Sequence, residues 1–116
     1  MRRPQPEPIP FPEPPPHLSA RAAGIWAILG PSHAPSLGRR ILFQMALECL
    51  DRSDQARELI ASEGLTSKTD STGALHIHPA AKVEREARAQ FAALWASLGL
   101  NEGHGTSELD ALMRMR

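Results

Sequence analysis

Residues 64–82, GLTSKTDSTGALHIHPAAK, decide how the chain is read. Two short runs, LTSKT and ALHIH, flank DSTG, where aspartate and glycine stand as a tight turn needs them, so the stretch predicts a β-hairpin. On a strand His76 and His78 share one face about two rises of ~3.3 Å apart, a spacing able to grip one zinc ion. A metal site needs at least a third ligand, and nothing in the sequence ties Asp70, His104 or His17 to the pair. Leu75 and Ile77 alternate with the histidines and are expected to face a core, leaving the imidazoles outside. Proline restricts His78 to extended backbone and is favoured at the first position of a helix, so His78-Pro79 marks the end of a strand and the start of a helix. The stretch is read as a structural joint, with no metal and no cofactor.

Long helices are expected on both sides of this joint. Downstream, residues 79–98 carry Ala80, Val83, Ala87, Phe91, Leu94, Trp95 and Leu98 at helical spacing, and Gly99 ends the run. Upstream, residues 37–63 predict the longest element, with Ser36 as its N-cap and Gly64 as its C-terminal glycine. Its inward positions are read as Leu37, Ile41, Leu42, Met45, Ala46, Cys49, Ala56, Leu59 and Ile60. The polar middle, ECLDRSDQAR, is a candidate for a bend near residues 51–54. An unbroken helix of this length spans ~40 Å and is expected to pack on a neighbour. A first helix is expected over residues 18–29, carrying Trp26 and stopping at Gly30-Pro31.

The ends differ from this middle. Eight of the eleven prolines fall in the first 16 residues, so residues 1–16 are expected to form an extended, disordered arm. Residues 17–100 are the helical core. Residues 101–116 read as a flexible link and a short helix from Ser107, amphipathic through Leu109, Leu112, Met113 and Arg114.

Composition sets the outer limits. The chain has 116 residues, with 13 Lys and Arg against 13 Asp and Glu, so any nucleic-acid surface is local and not a global basic field. One cysteine, Cys49, excludes an intramolecular disulfide and fits a reducing compartment. No apolar run reaches the ~18 residues a membrane span requires, and a cytoplasmic location is expected. No phosphate-binding glycine loop, paired-carboxylate motif or zinc cysteine pair occurs, which argues against an enzyme. Basic residues gather at Arg39 and Arg40, at Lys68 in the hairpin, and at Lys82, Arg85 and Arg88 on the outer face of the last long helix. Helical pairs such as Glu84 with Arg88 give part of this charge a structural explanation.

The succession of a tryptophan-bearing helix, a long helix ending in SEGL, the hairpin TSKTDSTGALHIHP and the helix AAKVEREARAQFAALWASLGL resembles a bacteriophage terminase small subunit over about residues 18–100. SLGRR at the start of the long helix and NEGHGTSELDALMRMR at the end depart from the usual pattern of that family. The resemblance implies a mainly α-helical subunit, with a long central helix, one small hairpin and a second long helix, assembling into a homo-oligomeric ring. It implies a non-enzymatic DNA-packaging component, viral or of a gene transfer agent, acting in the bacterial host cytoplasm on double-stranded DNA and the large terminase subunit. In that setting Arg39, Arg40 and Lys68, backed by Lys82, Arg85 and Arg88, are the expected phosphate contacts. Trp26, Phe91 and Trp95 carry packing within or between subunits, and Leu109, Leu112, Met113 and Arg114 dock on the large subunit. The rival from another class is a small helical adaptor that binds protein partners only.

Overall fold

The computed structural model describes residues 10–68 and 73–101. Three helices and one hairpin follow in order: α1 (Ala20–His33), α2 (Leu37–Glu63), β1 (Thr66–Lys68), β2 (Leu75–Ile77) and α3 (Ala80–Ser97). The expected mainly helical class with one antiparallel hairpin is what the chain adopts. α1 and α3 both lie against α2 and run opposite to it, since Ser19 meets Asp51 while His33 meets Arg39, and Leu98 meets Arg39 while Glu84 meets Ser53.

Helix α2 has the expected bounds because both ends are capped locally. The Ser36 hydroxyl accepts from the Arg39 amide at 3.3 Å, and the Gly64 amide donates to the Ile60 carbonyl at 2.7 Å. No break interrupts it at residues 51–54. Three of those polar residues face the neighbouring helices, with Asp51 and Ser53 buried and Asp54 half-buried, while Arg52 is exposed. The inward stripe is also phased differently from the expectation. Ala46, Cys49 and Ala56 are buried as expected, but Phe43, Leu47 and Leu50 also enter the core, whereas Leu37, Ile41, Met45 and Leu59 are exposed. Apolar residues on two sides of one helix supply two periodic patterns, and only packing selects between them.

Helix α1 departs from its expected stop at Gly30-Pro31. It runs on to His33 with Pro31 inside, since proline removes one amide and the helix resumes when Ala34 donates to the Gly30 carbonyl at 2.8 Å. Ala27, whose carbonyl loses its helical donor, is exposed. Gly30 has a packing role: a Cβ there would overlap the Phe11 ring, 2.5 Å from its Cζ. Phe11 in turn corrects the expectation of a free arm through residue 16. Its ring lies 5.2 Å from that of Trp26, and the Trp26 Nε1–H donates to the Pro12 carbonyl at 2.8 Å. Residues 1–9 lie outside the described residues.

All three phenylalanines and both tryptophans of the chain form one continuous line. From Phe11 it passes to Trp26 of α1, Phe43 of α2 at 5.7 Å, Trp95 of α3 at 6.3 Å and Phe91 at 4.9 Å. Trp26, Phe91 and Trp95 thus sit in or against the core of one subunit, with Phe91 only partly buried. Pairs of this geometry contribute about 0.5–1.5 kcal/mol each beyond the area they bury. α3 closes in a Schellman turn: Gly99 takes φ 76°, the Leu100 amide donates to the Trp95 carbonyl at 3.1 Å, and Leu100 is buried. This is the physical content of the LGL segment.

The hairpin pairs Thr66 with Ile77, Ser67 with His76 and Lys68 with Leu75. Its expected packing through Leu75 and Ile77 is not observed, as these side chains are 63% and 67% exposed. The joint itself is as expected, with Pro79 immediately before α3. The His78 Nδ1 accepts from the Ala80 amide at 3.0 Å, which supplies the cap that proline lacks.

Candidate nucleic-acid and partner surfaces

The six basic residues singled out in the sequence fall into two groups. Arg39 and Arg40 belong to the interior end of the bundle. The Arg39 Nε donates to the His33 carbonyl at 2.7 Å and its Nη2 to the Leu98 carbonyl at 2.6 Å. One guanidinium from the first turn of α2 thereby caps the C-terminal ends of α1 and α3, where carbonyls lack helical donors and carry partial negative charge. The Arg40 guanidinium lies 5.4 Å from the centroid of the Phe11 ring, and its Nε is buried without a hydrogen-bond partner. A cation over an aromatic face recovers part of what that nitrogen loses on leaving water.

Lys82, Arg85 and Arg88 form the second group and are exposed on α3. Lys82 approaches Glu86 at 3.9 Å, and Arg88 binds Glu84 at 2.7 Å. Lys68 lies on β1 opposite Leu75. Leu109, Leu112, Met113 and Arg114 lie outside the described residues.

The structure also assembles a polar band that sequence reading missed. Arg21 of α1 and Arg57 of α2 meet Asp54 at 3.1 and 2.8 Å. Glu84 of α3 is buried. It accepts from Ser53 at 3.3 Å and from Arg88 at 2.7 Å, and Arg57 reaches it at 4.0 Å. Three guanidiniums therefore bind two carboxylates in a band that links all three helices. Nearby, Asp51 accepts from the Ser19 amide at 2.8 Å and from its hydroxyl at 2.5 Å, tying the N-cap of α1 to α2. His17 adds a contact to Glu48 at 2.6 Å. The signal for all of this was the polar run ECLDRSDQAR, whose polarity marks helix-to-helix contacts within an unbroken helix.

Both ring nitrogens of His78 are engaged, Nδ1 as the cap of α3 and Nε2 with Glu63 at 3.2 Å. Among the described residues no group of three or more His, Cys, Asp or Glu is placed to hold a metal ion. Burial pushes the Cys49 thiol above its usual range, against the opposing pull of Arg52. Its Sγ lies 3.6 Å from Gln90 Oε1, so it contributes to packing between α2 and α3. Among the described residues no helix is long and apolar enough to cross a membrane.

Comparison with curated proteins and with solved structures finds no match. The family model for phage terminase, small subunit, matches residues 25–103. That span takes in most of α1, the whole of α2 and α3, the hairpin between them and the glycine turn that follows. Because it covers more than half of the chain and the observed order of elements, the chain belongs to the phage terminase small-subunit family.

Proposed function

We propose that the chain is the DNA-binding small subunit of a viral or phage-like packaging machine, acting without catalysis of its own. In this reading it assembles into a homo-oligomeric ring in the cytoplasm of the bacterial host and engages double-stranded genome DNA. It then delivers that DNA to the large terminase subunit, whose ATPase and nuclease it regulates. The observation that carries the reading is the family match over residues 25–103. The exposed basic face of α3 is in keeping with it.

Phosphate contact is assigned to Lys82, Arg85 and Arg88 and to Lys68 of the hairpin; Arg39 fixes helix ends from within, and Arg40 lies against the Phe11 ring. Each contact positions the DNA backbone without reading bases. A few cations per chain suffice when copies are repeated, because every neutralised phosphate releases counterions. Leu109, Leu112, Met113 and Arg114 are assigned to contact with the large subunit.

The test is DNA binding measured across a salt series for the native chain and for a Lys82→Ala/Arg85→Ala/Arg88→Ala variant. The native chain should bind with affinity falling as salt rises, and the variant should show both weaker binding and a shallower slope. Absence of binding by the native chain even at low salt would leave the protein-only adaptor.

A further inference from the structure

Residues 10–16 cross from α1 to α2 with little backbone hydrogen bonding to hold them. All but Phe11 and Glu13 are proline, so only these two carry an amide N–H and no ladder of backbone bonds can pin the segment. The Phe11 ring packs on Trp26 and Gly30 of α1, and the Pro12 carbonyl accepts from the Trp26 indole at 2.8 Å. Both attachments depend on one side chain. The Pro15 carbonyl, which accepts from the Leu18 amide at 3.2 Å, belongs to the turn that leads into α1.

What the segment covers is a cation. The Arg40 Cζ lies 5.4 Å from the centroid of the Phe11 ring, and its Nε is buried without a hydrogen-bond partner. Arg39 beside it is engaged by two carbonyls. Arg40 forms no ion pair among the described residues.

Two opposed effects therefore meet at this contact. Seating the ring removes apolar surface from water, but the same ring strips water from a donor that finds no acceptor. The attraction of a cation to a ring face recovers only part of that loss. Lifting the segment exposes the ring and returns the Arg40 Nε to water or to an acceptor. An anion that engages Arg40 stabilises the lifted state and gains nothing from the closed one.

We propose that residues 10–16 are a releasable strap that shields Arg40, so that DNA phosphate and the Phe11 ring compete for one guanidinium. The proposal rests on the DNA-binding reading given above and adds a control to it. The coupling runs both ways: removing the ring strengthens DNA binding, and DNA loosens the strap.

The test compares the full native chain with Phe11→Ala, which removes the ring, and with Gly30→Ala, which crowds the ring while leaving Phe11 in place; circular dichroism checks that the helices are intact. Both variants should bind duplex DNA about three- to tenfold more tightly at about 0.1 M salt, with a salt slope steeper by about 0.9 for each chain in contact, the mark of one added phosphate. Arg40→Ala should weaken binding more in the Phe11→Ala background than in the native one. Labelling of Arg40 by phenylglyoxal without DNA, read by mass spectrometry, should be severalfold faster in both variants. Equal labelling in all three chains means that Arg40 is not shielded and overturns the strap, whatever the DNA result. Faster labelling without tighter binding, or a gain in binding that survives Arg40→Ala, overturns the competition for phosphate and leaves the DNA-binding reading standing. Absence of DNA binding by every chain overturns both.

Discussion

Arg39 and Leu98 stand 59 positions apart in the chain, yet the Arg39 Nη2 donates to the Leu98 carbonyl at 2.6 Å. The same guanidinium holds the end of α1 through the His33 carbonyl, so three helix termini meet at one side chain. Arg39→Met should lower stability by about 2–3 kcal/mol, since hydrogen bonds from a charged group are the stronger class and two carbonyls lose their donor. Arg39→Lys should recover less than half, because an ammonium lacks the rigid fork that spans both acceptors. Urea denaturation followed by helical circular dichroism measures both.

Phe11 joins the N-terminal segment to the aromatic line. It is half-buried, so Phe11→Ala should cost about 2 kcal/mol, below the ~3–5 kcal/mol of a fully buried ring. Gly30→Ala should release the same segment by a different route, as the new methyl takes the space of the ring while the helix gains up to about 1 kcal/mol in propensity. In that variant tryptophan fluorescence and protease sensitivity near residues 10–16 should change, and the thermal midpoint should fall by less than in Phe11→Ala.

Glu84 is buried between a hydroxyl and two guanidiniums. Glu84→Gln keeps the shape and removes the charge, and should cost about 1–2 kcal/mol. Combined with Ser53→Ala the loss should fall short of the sum of the single losses, since both substitutions break one contact. A double-mutant cycle in urea gives the coupling.

Ile77 offers the sharpest contrast between expectation and structure. The alternation LHIH predicted an inward side chain, whereas it is 67% exposed. Ile77→Asn should therefore leave the stability of the isolated subunit within about 0.5 kcal/mol of the native value. His78→Phe, which removes the acceptor for the Ala80 amide and the contact to Glu63, should cost about 1 kcal/mol. Thermal melts of the two variants should fall in that order.

These residues also show what the sequence could convey. The bounds of α2 were legible because Ser36 and Gly64 act on backbone groups within a few residues. The place of the hairpin was legible because turn-forming residues between two short runs mark it, though its register was not. Which face of α2 turns inward was not, because Ile41 and Met45 look as apolar as Phe43 and Leu47, and the choice is made by Trp26 and Trp95 from other helices. Pro31 misled because the rule that proline ends helices concerns one amide, and here the turn closes around it. The interior role of Arg39 was hidden for a similar reason: its acceptors are carbonyls at the ends of α1 and α3, and backbone groups leave no trace in residue types. The polar band was half visible, as a run too polar for a core helix.

The hairpin sits outside this web of dependence. Thr66, Ser67, Leu75, His76 and Ile77 of its strands are all exposed, and its root is tied by the His78 amide donating to the Leu65 carbonyl at 2.7 Å. Changes in its length or side chains need no compensating change in the core. An engineer can therefore graft another loop in its place while the three helices go on folding as before.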